Sequence, residues 1–234
     1  MTKPLHIIAF TGSAGSGKDT AADMLVGACR FTKLAFADAL RREVAEAYRL
    51  DVDGMQSLLA DRAAKETPTT RLALTECRDF GFIGAVALAN RATVTHEWAT
   101  QGRSPRQILQ WWGTEYRRAQ RLDYWTSTLY SHLHQLHKLD GRTRFIITDC
   151  RFENEAHLVR SLGGVVWQIE RPGLPQVENG HASTADPIKL QPSAIISNTG
   201  SLNALREAVL GEWWAWEAQL ESVKVEIVTA GGGV

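Results

Sequence analysis

The chain is poor in the features that mark secreted, membrane-bound or nucleic-acid-coating proteins. Three cysteines, Cys29, Cys77 and Cys150, are odd in number and lack C-x-x-C spacing. They suit reduced thiols better than a disulfide framework or a zinc site. No apolar run approaches the ~18 residues that span a bilayer, and Met1 to Pro4 lead directly into an apolar strand rather than a signal peptide. Net charge is also missing: 26 basic side chains balance 26 acidic ones. Nothing global therefore draws the protein onto nucleic acid or anionic lipid, and any anion site must be local. His132, His134 and His137 lack the i, i+4 spacing of a helical metal pair, and no Ser-His-Asp or Cys-His arrangement can be argued. These absences together predict a soluble, cytoplasmic protein.

What is present is a 234-residue chain with 44% hydrophobic content, enough for one sizeable core. Pro and Gly are too scattered to mark a linker. One domain is expected over 1–229, with a helical insertion at roughly 50–140 and a disordered tail at 230–234. Leu5 to Phe10 reads as a strand, followed by a glycine-rich turn and a helix through Thr20 to Val26. Phe31 to Phe36 is a second apolar stretch, leading to a helix on which Leu40, Val44 and Tyr48 share a face behind a cap at Asp38. Residues 50–102 read only as helices and loops. Ser104-Pro105 is a strong helix start, Ile108, Leu109 and Trp112 form the apolar face of that helix, and Gly113-Thr114 reads as a break in it. Tyr124 to Leu139 is a further helix, Arg144 to Thr148 a buried strand ending at Asp149, and Glu153 to Leu162 a helix stopped by Gly163-Gly164. Val165 to Glu170 is a strand, then a loop runs from Arg171 to about Pro192. Ala194 to Ile196 is a short strand ahead of a helix from Leu202 to about Leu220. Strands alternating with helices predict a three-layer α/β fold, a central parallel sheet with helices on both faces.

Gly12-x-x-x-x-Gly17-Lys18 falls between the first strand and the first helix, the context that makes this pattern specific for a phosphate-binding P-loop. Gly12, Gly15 and Gly17 permit torsions that aim N–H groups inward, and the following helix adds the positive end of its dipole. Ser16 lies within the same loop, and Lys18 supplies charge at the β- and γ-phosphates of a nucleoside triphosphate. Asp19 stands where Ser or Thr usually binds magnesium, with Thr20 one place later. Asp19 is either structural at the helix start or a magnesium contact through water. Asp149, at a strand end, is a candidate magnesium carboxylate with Thr20 as hydroxyl donor, or else a turn cap. Arg151 could neutralise charge on a transferred phosphoryl group, or pair with Glu153 or Glu155.

Six ordered segments resemble phage-type deoxynucleoside monophosphate kinases, relatives of adenylate kinase: residues 12–20, Gln110 to Glu115, Asp149 to Glu155, Arg171-Pro172-Gly173, His181-Ala182-Ser183 and Ser197 to Leu202. The resemblance implies ATP as phosphoryl donor with Mg2+, a deoxynucleoside monophosphate as acceptor, and no nucleic-acid or membrane partner. It leaves a homodimer open. It places Gly12 to Thr20 and Arg171 on ATP. Asp38, Arg41, Gln110, Gly113, Thr114, Trp125, Arg151 and Glu155 go to the acceptor, with Lys18, Asp149 and Arg151 as the catalytic set. Arg41 stands where relatives often have lysine, and Thr184 where many carry glutamate.

Several features keep two readings. Five arginines, at 103, 106, 117, 118 and 121, face the single acid Glu115 over that stretch, which suits a phosphorylated substrate or a solvated helix face. Trp111, Trp112 and Trp125 could stack a base or simply pack. Trp213, Trp214 and Trp216 read as packing. Alternatives to the nucleotide kinase are a P-loop kinase for another small phosphorylated acceptor, phosphomevalonate-like or dephospho-coenzyme A-like, and a non-catalytic ATP-binding protein.

Overall fold

A computed structural model describes residues 4–174 and 187–230. The His181-Ala182-Ser183 segment, Thr184 and residues 231–234 of the expected tail lie outside the described residues. The chain divides into two compact units. One, a sheet unit, takes in residues up to Leu34 and the described residues from Asp140 onward. The other is helical and spans Ala35–Leu139, entered in sequence earlier than the insertion expected at about residue 50.

In the sheet unit the strands are β1 (His6–Thr11), β2 (Thr32–Leu34), β3 (Arg144–Ile147), β4 (Val165–Glu170) and β5 (Ala194–Ser197). They form a parallel sheet in the order β2-β3-β1-β4-β5. Ile7, Ile8, Ala9 and Phe10 are all fully buried, as a central parallel strand covered on both faces requires. Alternation then sorts the faces. Ile8 and Phe10 join a core with α1 (Lys18–Cys29) and α10 (Leu202–Ala230), through Leu25, Leu205, Val209 and Trp213. On the other face, Ile7 lies beside Gly164 and Val159 of α9 (Glu153–Ser161). The expected three layers are therefore present.

α10 runs ten residues past the expected end near Leu220. Extending an existing helix costs only tenths of a kcal/mol per residue even where the sequence is a weak helix former. Trp213 and Trp216 are buried as expected, whereas Trp214 faces out at 58% exposure. Cys29, Cys77 and Cys150 are free and buried, and desolvation raises each thiol's pKa, which keeps them unreactive.

The helical unit contains α2 (Phe36–Ala47), α3 (Val52–Leu58), α4 (Arg62–Glu66), α5 (Phe80–Ala89), α6 (His96–Thr100), α7 (Pro105–Gln110) and α8 (Tyr124–Asp140). Asp51, Asp61, Asp79 and Thr95 each cap one of the helices between residues 50 and 102 with a side-chain oxygen. Ser104 caps α7 in the same way, bonding Gln107 N–H with Pro105 at the first helical position, as expected. Two local expectations need correcting. Asp38 does not start α2: the helix begins at Phe36, and Asp38 reaches back from its third position to accept Ala35 N–H at 2.8 Å. Nor does Gly113 interrupt its helix. α7 continues as a π-helical stretch over Trp111–Arg118, in which Gly113 is buried beside Leu40 and its carbonyl accepts the Trp125 Nε1–H.

Among the described residues no helix is long and apolar enough to cross a membrane.

Candidate active site

β1 lies between β3 and β4, so the segments leaving β1 and β3 diverge at the carboxyl edge of the sheet, where open α/β sheets bind ligands. The loop 12–17 occupies that edge. Gly12, Gly15 and Gly17 have φ of 129°, 83° and 102°, in the region that disfavours any side chain. Close approach adds a second constraint at Gly12, where a Cβ would stand 2.3 Å from the backbone oxygen of Ile169. Gly17 begins α1 without a side-chain capping bond, so the helix offers its first N–H groups rather than spending them on a cap.

Lys18 curls over this loop. Its Nζ donates to Gly12 O and Ser13 O, both at 2.7 Å, and lies 3.5 Å from the Oγ of buried Ser16. Burial lowers its pKa to about 8, with nearby Arg151 acting in the same direction and Asp19 and Asp149 opposing. Lys18, Asp149 and Arg151, named separately from the sequence, therefore lie within one electrostatic neighbourhood.

Backbone bonds put them there. Cys150 N–H donates to Phe10 O at 3.0 Å, tying the segment after β3 to the end of β1 and fixing Asp149 between Thr148 and Cys150. Glu155 is buried, and its carboxylate accepts the N–H groups of Arg151 at 2.8 Å and Phe152 at 3.1 Å at the start of α9. It sets the Arg151 backbone while the Arg151 side chain stays exposed. Asp19 is 79% exposed and pairs with Lys33 at 3.3 Å, alongside the Lys33–Asp23 pair at 2.9 Å. That is a surface ion pair. Thr20 is exposed on the first turn of α1, and Arg171 is exposed just past β4. Asn198, named from the sequence only within a resembling segment, donates its side-chain amide to Ser16 O.

No group of three or more His, Cys, Asp or Glu side chains comes together among the described residues. The donors at hand, one carboxylate at Asp149 and one hydroxyl at Thr20, fit magnesium, which usually takes few protein ligands and several phosphate or water oxygens.

The helical unit presents a different cluster. Glu43 of α2 accepts Trp112 Nε1–H at 2.8 Å, Arg117 Nε–H at 2.7 Å and Tyr124 O–H at 2.7 Å. The Arg117 guanidinium lies over the rings of Tyr116, Tyr124 and Trp112 at 4.5, 5.1 and 5.6 Å. Tyr116 in turn donates to Asp79. Sequence reasoning missed Glu43; its signal was an acid beside the Leu40–Val44 apolar stripe.

The acceptor residues expected in this unit lie on α2, α7, the π-helical stretch and α8. Arg41 pairs with Asp38 at 3.0 Å, both partly exposed. Gln110 is half-buried at the junction of α7 and the π-helical stretch, with Thr114 half-buried one turn on. Trp125 is buried and gives its Nε1–H to Gly113 O at 3.0 Å, so in this structure it packs rather than presenting a face. The clustered arginines are engaged internally. Arg103 is buried against Trp98 and Trp111 and bonds Trp98 O, Arg106 pairs with Glu66, Arg117 with Glu43 and Arg121 with Asp123. The arginine run is thus largely structural.

Comparison with known proteins bears on the fold and the family. The solved structure of TT1252 from Thermus thermophilus matches with a TM-score of 0.50 at 18% identity, over 91% of this chain and 98% of that one, a likeness of fold. A dephospho-CoA kinase from Campylobacter jejuni aligns over 89% of this chain and 96% of that one, at 15% identity and a TM-score of 0.42, too loosely to carry an argument. In sequence, a protein of Acanthamoeba polyphaga mimivirus, provisionally described as a deoxynucleotide monophosphate kinase, is 28% identical over 180 residues, 72% of this chain and 75% of that protein. The family model for deoxynucleotide monophosphate kinases matches residues 73–209. That span covers more than half of the sequence, including the Glu43-bonded aromatics, Asp149, Arg151 and Asn198, and the chain belongs to the deoxynucleotide monophosphate kinase family.

Proposed function

We propose that this chain transfers the terminal phosphoryl group of ATP to a deoxynucleoside monophosphate, giving ADP and the deoxynucleoside diphosphate. The observation that carries the reading is the gathering of Lys18, Asp149 and Arg151 around a glycine loop at the carboxyl edge of the sheet, in a chain of this family. An oxygen of the acceptor's phosphate attacks the γ-phosphorus, and the bond to the β–γ bridging oxygen breaks, leaving that oxygen on ADP. Little covalent chemistry falls to the protein; positioning and charge stabilisation do most of the work.

Each residue then has a task. The N–H groups of Gly12 to Lys18 cradle the β- and γ-phosphates. Lys18 exchanges its bonds to Gly12 O and Ser13 O for phosphate oxygens. Arg151, its backbone set by Glu155, neutralises charge on the moving phosphoryl group. Asp149 and Thr20 hold magnesium or its waters, which supplies further charge neutralisation at the phosphates. Arg171 flanks the nucleotide beyond β4. In the helical unit, Asp38, Arg41, Gln110 and Thr114 read the acceptor, with Gly113 and Trp125 shaping their support.

A panel of the four deoxynucleoside monophosphates with ATP and magnesium, scored for ADP and diphosphate formation, tests the proposal. Acceptor-dependent turnover is the expected result. Binding of ATP with no turnover on any nucleoside monophosphate would overturn it.

A further inference from the structure

The phosphate loop is held from outside at both ends by the neighbouring strands. At one end Gly12 lies against the backbone oxygen of Ile169 in β4. At the other, a Cβ on Gly17 would stand 2.5 Å from Asn198 Nδ2. Asn198 follows β5 directly. Its backbone N–H donates to Glu170 O at 2.7 Å, which fastens it to the last residue of β4, and its side-chain amide donates to Ser16 O at 2.8 Å.

Ser16 O and Gly17 N–H belong to the same peptide unit. In a trans peptide these groups point in opposite directions, so a donor that pins the carbonyl outward aims the N–H inward, toward the concave side of the loop. The pinning matters because of Gly17. With φ at 102°, glycine allows this peptide plane to rotate at little cost, and an unpinned plane would present an oxygen to phosphate as readily as an N–H. Asn198 removes that freedom from a strand end rather than from within the loop.

We propose that Asn198 is a positioning residue for the phosphoryl donor: by holding Ser16 O, it presets Gly17 N–H toward the nucleotide's phosphates. The inference rests on the reading of this loop as the ATP site. It differs from a general packing role because its effect is confined to the polyphosphate, not to the nucleoside and not to the acceptor.

Two variants test it. Asn198→Asp keeps the size but replaces the donor with an oxygen that repels Ser16 O, and Asn198→Ala deletes the amide. Dissociation constants for MgATP and for magnesium tripolyphosphate, which has no base or ribose, are measured by calorimetry, with KM for the acceptor and the thermal midpoint alongside. Both variants should lose about tenfold in affinity for each polyphosphate, the value of one hydrogen bond to a charged group, with Asn198→Asp the weaker binder. Acceptor KM and thermal midpoint should stay near wild type. Unchanged tripolyphosphate affinity, or equal losses on donor and acceptor with a lowered midpoint, would overturn the proposal. Failure of the unmodified protein to bind MgATP would instead remove the ATP reading itself, and that is seen before any variant is made.

Discussion

The two units solve their polar problems in different ways. In the sheet unit the site is mostly main chain: glycines in left-handed torsions, helix N–H groups and strand-end carbonyls, with one lysine and a few flanking charges. In the helical unit it is side chain throughout, with Glu43 taking three donors and Arg117 stacked on three rings. A main-chain site tolerates few substitutions within its own loop and leans on few side chains outside it, Asn198 being one. A side-chain hub can be rebuilt with other residues, which suits the acceptor reading proposed for this unit. Damage in the sheet unit should therefore fall on chemistry, and damage at the hub of the helical unit on stability.

The largest effect should come from Lys18→Ala. Lys18 bonds its own loop and contributes little to the core, so the fold should survive while the rate drops by about 10² or more, the usual loss for one group that stabilises developing charge. A variant that keeps more than about a tenth of the wild-type rate would break the assignment.

Glu43→Ala is the counterpart in the helical unit. Removing a half-buried carboxylate leaves the Trp112 and Tyr124 donors and the Arg117 charge without their acceptor, at a cost of about 2–4 kcal/mol in unfolding free energy. Urea unfolding followed by tryptophan fluorescence measures it. Calorimetry should find MgATP affinity nearly unchanged, and a parallel loss of ATP affinity would erase the proposed division of labour.

The same difference explains how much could be read from the sequence. The strands show as apolar runs such as Ile7–Phe10 and Phe145–Ile147, and the loop as glycine spacing, both local signals that survive without tertiary context. Lys18, Asp149 and Arg151 can be nominated from the sequence for that reason. The Glu43 hub joins residues 69 to 81 positions apart, and no local period announces such a contact. The cap of α2 reads three residues late, at Asp38 instead of Ala35, because a carboxylate at the third helical position bonds backward much as a cap bonds forward. Gly113 reads as a break because glycine usually is one; here the helix runs on through it in π form, and its carbonyl accepts the Trp125 Nε1–H.

A smaller effect is expected at Gln110, where the two styles meet in one question: whether the helical unit reads a base. Its amide offers both a donor and an acceptor to a base edge, and it sits where α7 passes into the π-helical stretch, a distortion often found at functional sites. Gln110→Ala should raise KM for the preferred monophosphate about tenfold and flatten the preference among the four deoxynucleoside monophosphates. KM for ATP should barely move. An unchanged base preference, or a loss confined to ATP, would take Gln110 out of the acceptor site.

The smallest expected signal is a fraction of a proton, and it isolates the electrostatics of the sheet unit. Burial and Arg151 hold the Lys18 pKa at about 8, well below the ordinary lysine value of 10.5. Because the folded-state pKa is the lower one, the free protein binds fewer protons than the unfolded chain between those values, and its stability should rise with pH across that window. Nucleotide reverses the balance. Phosphate oxygens against Nζ favour the ammonium, so MgATP binding at pH ~8.5 should take up about three-quarters of a proton, falling to almost none by pH ~6.5, where Lys18 is already charged. The second ionisation of a phosphate monoester lies near pH ~6, so ATP itself releases little in the upper part of this range. Binding enthalpies measured in buffers of different ionisation enthalpy give the proton count directly. Uptake should vanish in Lys18→Ala and persist in Glu43→Ala. Uptake that survives loss of Lys18 would mean another group carries the charge in the phosphate loop.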